Sequence, residues 1–304
     1  MSMCLSKVDD ATASLMAKAL DFIEDNLKQA ITVADMAEAV SFSLYHFCRT
    51  FNRVTHHTPY DYLMRRRLSE AAQDLLRSER KIIDIALDHQ FNNPETFSRA
   101  FKRMFGIQPV QLRKGGRINS RQLMPRLTLA HIQHIHKGSY LKPALEEKDA
   151  FVVAGMTTLV RDDPGAVPDL WDWFGRELRR CEPIAQPGDY YGIAFYPDDW
   201  EERGYLYMTA IEMTTIEMAA VEAVGMDLPP GPLVVKKIPA LKWVRFIHKG
   251  PTRELSLTLD YVYHTWLPKS GQSLSYPWVL EGYGHDFRDA DSQNCERAIY
   301  IPIQ

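Results

Sequence analysis

The sequence predicts a multidomain chain: an all-α domain built on two helix-turn-helix motifs, then an α+β domain in which a ββαββ order occurs twice. Three observations carry this. A thirteen-residue pattern is duplicated, FCRTFNRVTHHTP from Phe47 to Pro59 and FSRAFKRMFGIQP from Phe97 to Pro109. The basic surplus coincides with it: residues 41–120 hold 14 Lys+Arg against 7 Asp+Glu, in a chain of net charge −3. After Gly115-Gly116 the apolar period shortens from helical to alternating.

In each copy two Phe lie four apart, on one helix face, with an Arg between them on another. An opening amphipathic helix is predicted over 10–26, from Leu15, Ala19, Phe22 and Ile23. Thr32 is the N-cap expected for the short helix after it, and Ser43 the N-cap of the helix Leu44–Val54. Pro59 suits the first turn of a linking helix that runs to Leu76. The second motif comprises Ile82–His89 and Pro94–Phe105, with Gly106 as the stop. Domain limits are placed at 1–116 and 124–304, joined by a linker over 117–123.

In the second domain, Leu127–Ile135 and Ala150–Val160 read as strands, followed by a helix marked by Val167, Trp171, Phe174 and Leu178. Strands are expected at Tyr190–Tyr196 and Tyr205–Met213, then, after a Pro/Gly-rich loop at 228–232, at Leu233–Ile238 and Leu241–Lys249. A helix marked by Leu255, Leu259, Val262 and Trp266 precedes strands at Tyr276–Tyr283 and Arg297–Ile303.

Four scattered cysteines without a C-x-x-C pair fit reduced thiols better than disulfides or structural zinc. With no apolar run of membrane-spanning length and no signal pattern, the expectation is a cytoplasmic protein without a membrane partner. No phosphate- or dinucleotide-binding motif stands in a suitable context, and no cofactor is expected. His131, His134 and His136 include an H-x-H on an expected strand face, but a third ligand at suitable spacing is missing, so no metal site is assigned.

Reading DNA requires a helix in the major groove, cations for phosphates and side chains that reach base edges. With Phe47 and Phe51 inward, the first motif presents Leu44, Tyr45, Cys48 and Arg49; the second presents Pro94, Glu95, Thr96 and Arg99. Arg49 and Arg99 are the base-reading candidates. Arg65, Arg66, Arg67, Lys102, Arg103 and Arg113 are cast as phosphate contacts, which position without specifying. A helical bundle with solvated arginines explains one such copy equally well, and two matched copies poorly.

HFCRTF (46–51), RRRLSEAAQDLL (65–76), IIDIALDHQF (82–91) and ETFSRAFKRMFGIQP (95–109) resemble the DNA-binding domain of AraC/XylS transcription regulators over residues 10–114. The resemblance implies two motifs bridged by the linking helix, entering successive major-groove segments about 34 Å apart. It maps base contacts onto Tyr45, Cys48, Arg49, Pro94, Glu95, Thr96 and Arg99. His56, Ser41 and Gln90 stand where glycines are usual, which puts the turn geometry in question.

The second half is rich in aromatics, and Glu281 is a lone carboxylate in an apolar strand, in phase with Val279 and Tyr283. Burying it demands a partner, which a cationic ligand with a flat apolar body would supply; a strand-end Glu in water is the plain alternative. Element order, IPALKWVRFIHKGP (238–251), Trp266-Leu267-Pro268 and Glu281-Gly282-Tyr283 resemble a GyrI-like effector-binding domain of the Rob C-terminal kind. That resemblance implies Glu281 in a cleft meeting cationic or amphipathic compounds, walled by Tyr283 and by several of Trp171, Phe195, Tyr207 and Trp266. The whole then reads as a transcription regulator of the activator type, not an enzyme, with promoter DNA, a small effector and RNA polymerase as partners. The alternatives are a hydrolytic or toxin-scavenging cleft fused to a DNA-binding module, and an aromatic protein interface.

Overall fold

The computed structural model describes residues 8–137, 141–163, 165–180, 189–197, 199–213, 233–284 and 296–304. The loop expected at 228–232 and Cys4, Cys181 and Cys295 lie outside them. By its contacts the chain divides into two compact units, Met1–Ser139 with Ser256–Ser270, and Tyr140–Leu255 with Gly271–Gln304.

The first unit holds α1 (Asp10–Asp25), α2 (Val33–Glu38), α3 (Leu44–Thr55), α4 (Pro59–Arg77), α5 (Ile82–Asp88), α6 (Pro94–Phe105), α7 (Pro109–Arg113) and α8 (Leu129–His136). Local chemistry sets their starts. Thr32 and Asp35 form a capping box, Ser43 accepts from the His46 amide, Thr58 caps α4 with Pro59 in its first turn, and Asn93 caps α6. The α3 and α6 helices end in left-handed residues, His56 (φ 60°) and Gly106 (φ 77°). Ser41 (φ 56°) and Gln90 (φ 65°) are also left-handed, so the motif turns keep the geometry that glycine favours while carrying side chains.

Two cores result. Met16, Leu20, Ile23, Met36, Phe47, Phe51, Val54 and Tyr62 pack together, and Leu68, Leu75, Ile85, Phe91, Phe97, Phe101 and Phe105 form the other. The α4 helix supplies Tyr62 and Leu63 to one and Leu68 to Leu75 to the other, and so ties the two motifs. The duplication is geometric too: the Phe47–Phe51 and Phe97–Phe101 ring centroids are both 5.5 Å apart.

Residues 127–135, expected as a strand, instead form α8 from Leu129, opened by a reciprocal cap between Thr128 and His131. A run of alternating apolar residues this short fits either period, and here Ile132 and Ile135 reach the buried side at helical spacing. Ile118, Met124, Leu127 and Ile132 all join the cores of the first unit, so the chain beyond Gly115-Gly116 packs there rather than opening the second domain at 124.

The second unit is one curled antiparallel sheet of eight strands, with β1 (Ala144–Lys148), β2 (Phe151–Val160), β3 (Tyr190–Phe195), β4 (Tyr205–Met213), β5 (Val234–Ile238), β6 (Leu241–Lys249), β7 (Trp278–Gly284) and β8 (Glu296–Ile303). Its order, β1-β6-β8-β7-β3-β4-β2-β5, is unchanged when read backwards with each strand exchanged for its counterpart four places on. That is the signature of a duplicated ββαββ module. The first repeat's helix, α9 (Ala166–Arg180), follows β2. The second repeat's helix, α10, comprises Leu255–Asp260, a π-helical stretch Tyr261–Trp266 and a last turn Leu267–Ser270. From Ser256 onward it packs within the first unit.

Candidate functional site

In the first unit, Tyr45 is 75% exposed and Leu44 52%, while Phe47 and Phe51 on the same helix are fully buried. Arg49 is exposed and Cys48, a free thiol, half-buried. On α6, Phe97, Phe101 and Phe105 are buried, and Pro94, Glu95, Thr96, Arg99, Lys102 and Arg103 are all exposed. Each recognition-type helix thus presents one polar and basic face.

The run Arg65-Arg66-Arg67 behaves differently from expectation. Arg66 is 7% exposed: it forks onto Glu24 at 2.8 and 2.9 Å, reaches Glu70 at 2.9 Å and donates to the Met124 carbonyl at 2.7 Å. Burial opposes its charge, but the hydrogen bonds and charge of Glu24 outweigh that and hold the guanidinium protonated more firmly than usual. Arg67, 6% exposed, closes the chain after α1 by donating to the Leu27 and Gln29 carbonyls. Arg113 donates to the carbonyls of Leu75 and Arg80. These three are braces, not phosphate contacts. Helical spacing held the signal, since Arg66 and Arg67 fall four residues after Tyr62 and Leu63 on the buried stripe. Arg65 is half-buried, against Asp61 at 3.4 Å and the His264 carbonyl at 3.3 Å.

The three histidines of the expected H-x-H have separate partners in the first unit. His131 meets Asp260 at 3.2 Å, His134 meets Thr258 at 2.7 Å and His136 meets the Val54 carbonyl at 2.8 Å. Among the described residues no group of three or more His, Cys, Asp or Glu could hold a metal ion. Two further histidines hold α10: His56, the C-cap of α3, pairs with Tyr261 at 3.1 Å, and buried His57 with Thr265 at 3.0 Å. Burial lowers both His56 and His264 to about 4; His136 and Lys269 add to it at His56, while at His264 the charge of Asp260 works against it without outweighing it. Unfolding restores the ordinary value near 6.5, so between about 6.5 and 4 the unfolded chain binds more protons. Stability is therefore full above this window and falls with falling pH, by on the order of 1 kcal/mol per pH unit for each histidine. Urea titrations at pH 7, 6 and 5 check this; a first unit equally stable at all three would refute it.

In the second unit the sheet brings Glu281, Tyr283, Tyr207 and Trp171 together. Glu281 is 4% exposed, and both its oxygens are engaged: Tyr207 Oη donates at 3.3 Å to Oε1, and Tyr283 Oη at 2.7 Å to Oε2. Burial and then the charge of Glu281 push both phenols well above their ordinary value, so they stay donors. Trp171 on α9 donates to Tyr207 Oη at 3.4 Å and sets its ring 5.1 Å from that of Tyr283. Gly192 lies across from Glu281, and a Cβ there would sit 2.1 Å from Tyr207 Oη. Its bare backbone is the space in which that phenol lies.

The partner of Glu281 is Arg297, fully buried on β8. Its Nη1 lies 3.2 Å from Glu281 Oε2 and 3.1 Å from Tyr283 Oη, and it also donates to Thr252 Oγ1 at 3.1 Å. Its Nη2 donates to Thr252 Oγ1 at 3.1 Å and to the Gly250 carbonyl at 3.4 Å. Glu281 is therefore not an unpartnered carboxylate, and the argument for a cationic ligand from the cost of burying it loses its premise; what the resemblance implies for the site is a separate ground. A carboxylate so engaged is also poorly placed as a general base. The signal was in the sequence: Arg297 falls in phase with Ile299, Ile301 and Ile303, the alternation that singled out Glu281.

Phe195 lies on the other face of the sheet. It packs against Trp278 at 5.5 Å under Lys236, and lines an open groove of about 640 Å³ with Leu159, Leu206 and Trp278. Trp266 stands in the π-helical stretch of α10, in the first unit. Neither is brought to Glu281 within the second unit.

Comparison with known proteins gives two family matches, a helix-turn-helix domain over residues 36–115 and the integron-associated effector binding protein family, Cass2, over 144–303. Both point to a non-catalytic regulatory protein. The chain is 39% identical over 92 residues to the uncharacterized HTH-type transcriptional regulator YbfP of Bacillus subtilis, covering 30% of this chain and 31% of the relative. It is 33% identical over 117 residues to the transcriptional regulator Rob of Salmonella typhimurium, covering 38% and 40%. The matched stretch is thus less than half of either relative. A solved EcmrR–DNA complex aligns over 90% of this chain and 98% of that one, at 16% identity and TM-score 0.44.

Proposed function

Because the chain belongs to the integron-associated effector-binding family Cass2 through residues 144–303 and carries a helix-turn-helix domain over 36–115, we propose that it is a sequence-specific transcription regulator. Its first unit binds double-stranded promoter DNA, and its second binds a small amphipathic effector beside Trp171, Tyr207, Glu281 and Tyr283. The reading rests above all on Arg49 and Arg99, exposed on two helices that are anchored by the same Phe pair at the same spacing. Tyr45, Cys48, Pro94, Glu95 and Thr96 complete the base-facing set, with Arg65, Lys102 and Arg103 toward phosphates. Activation and a contact with RNA polymerase follow from the AraC/XylS resemblance of residues 10–114. An effector biases DNA binding only if it prefers one conformation. The segment Ser256–Ser270, continuous at both ends with the second unit, holds the α3 C-cap through His56 and offers the covalent route.

Anisotropy titrations of wild type and Arg99→Ala, on a site selected from random DNA and on a scrambled duplex, test this. Arg99→Ala is expected to lose about 1–3 kcal/mol of discrimination while scrambled binding changes little. Equal weakening on both duplexes would remove its base-reading role.

A further inference from the structure

Within the DNA-reading function, on which this inference rests, the two motifs part company at the end of the recognition-type helix. They match at the left-handed turn before it, Ser41 in the first and Gln90 in the second. At the cap that closes it, the duplication sets His56 against Gly106, fifty residues on, and both are left-handed, at φ 60° and 77°. For Gly106 that conformation is free of strain, and a Cβ added there would meet no atom within 4 Å. For a histidine the same conformation carries a steric penalty, which the fold must offset through what the side chain does.

That side chain is gripped by α10. The His56 ring packs edge-to-face against Tyr261 of α10 and His136 of α8, with centroids 5.7 and 5.9 Å away, and its Nδ1 stands 3.1 Å from Tyr261 Oη. Lys269, further along α10, donates to the His56 carbonyl and so sets a cation at the C-terminal end of the α3 dipole. The next residue, buried His57, meets Thr265 at 3.0 Å. Tyr261, Thr265 and Lys269 recur every four residues, on one face of α10, and all three close on His56 and His57. The π-helical stretch Tyr261–Trp266 falls at this contact, where helices often give up regular geometry for function. Gly106 has no side chain for a neighbour to hold. The end of α3 is thus tied to a residue 205 positions away in the chain. Reading bases requires side chains held within about 0.5 Å of their working positions, so such a tie bears directly on what α3 can read.

We propose that His56 is a positioning residue for DNA reading by the first motif: gripped by Tyr261 and Lys269, it sets how α3 presents Arg49 and its neighbours to the bases, so that α10 governs readout by the first motif and leaves the second, capped by Gly106, independent of it.

Anisotropy titrations of the full chain test this with a DNA site selected from random sequence and two derivatives, each with the bases read by one motif scrambled. Arg49→Ala and Arg99→Ala assign the two halves. Tyr261→Phe, which removes one hydroxyl, and His56→Gly, which restores the unstrained cap, are each expected to lower discrimination for the α3 half by about fivefold and to leave that for the α6 half unchanged. Because both break one contact, the double variant is expected to lose no more than His56→Gly alone; an additive loss counts against the proposal. Equal loss at both halves marks a merely structural role and overturns it. So does an unchanged α3 ratio in either variant, or a wild type indifferent to the α3 half alone. If His56→Gly does not fold, Tyr261→Phe decides by itself. A wild type that discriminates at neither half removes sequence-specific DNA reading, and this proposal with it.

Discussion

Arg66→Ala is expected to destabilise the first unit by about 3–5 kcal/mol, the range for removing one partner of a buried ion pair. Glu24, 6% exposed at its side chain, would keep the Tyr62 hydroxyl at 2.6 Å but lose its counter-ion, and the Met124 carbonyl would lose a donor. Such a loss is a large fraction of the stability of an ordinary domain. Urea unfolding followed by far-UV circular dichroism measures it. A phosphate-contacting arginine behaves otherwise: its removal leaves stability nearly unchanged and lowers the salt dependence of DNA binding by about one counterion. If Arg66→Ala shows that pattern, the bracing role assigned here is wrong. Lys102→Ala, on the exposed face of α6, is the matching control and is expected to show the salt effect without the stability loss.

The second large effect is expected at Glu281. Glu281→Gln keeps shape and one acceptor oxygen but removes the charge, leaving Arg297 as a buried cation with only neutral acceptors among the partners described above. The expected cost to the second unit is about 3 kcal/mol, the lower end for a broken buried pair, since the amide oxygen still accepts. A carboxylate reserved for a cationic ligand would behave in the opposite sense: neutralising it relieves a buried charge and leaves the ligand-free protein as stable or more so. Melting curves of wild type and Glu281→Gln without ligand distinguish the two, and an unchanged or raised Tm would contradict the counter-ion role.

The two variants share a cause. At Arg65-Arg66-Arg67 three adjacent cations look alike as composition, but a helix turns 100° per residue and only one of the three is left partly facing solvent. At Glu281 the partner is sixteen residues away, on the adjacent strand, and no local pattern pairs them. Thr252 and Gly192 arrive from still other parts of the chain. Gly192 serves by what it lacks, which becomes visible only when Tyr207 is seen lying over it.

What the sequence by itself determined is whatever depends on short-range periodicity and capping: the duplicated Phe-anchored helices, their caps at Thr32, Ser43 and Gly106, and seven of the eight strands in a twice-repeated order, whereas the left-handed turns at Ser41, His56 and Gln90 were settled by the structure. The former features are set within about four residues of themselves, so one sequence suffices to read them. Only the tertiary structure decided that 129–136 is a helix, that the chain after Gly115 stays with the first unit, that Ser256–Ser270 packs there too, and that Arg297 already neutralises Glu281. Each of those depends on which distant surface a segment finds to bury against, and on whether a charge meets its opposite there. Burial and charge pairing are properties of position in space, and spacing along the chain records them only where both partners share one element.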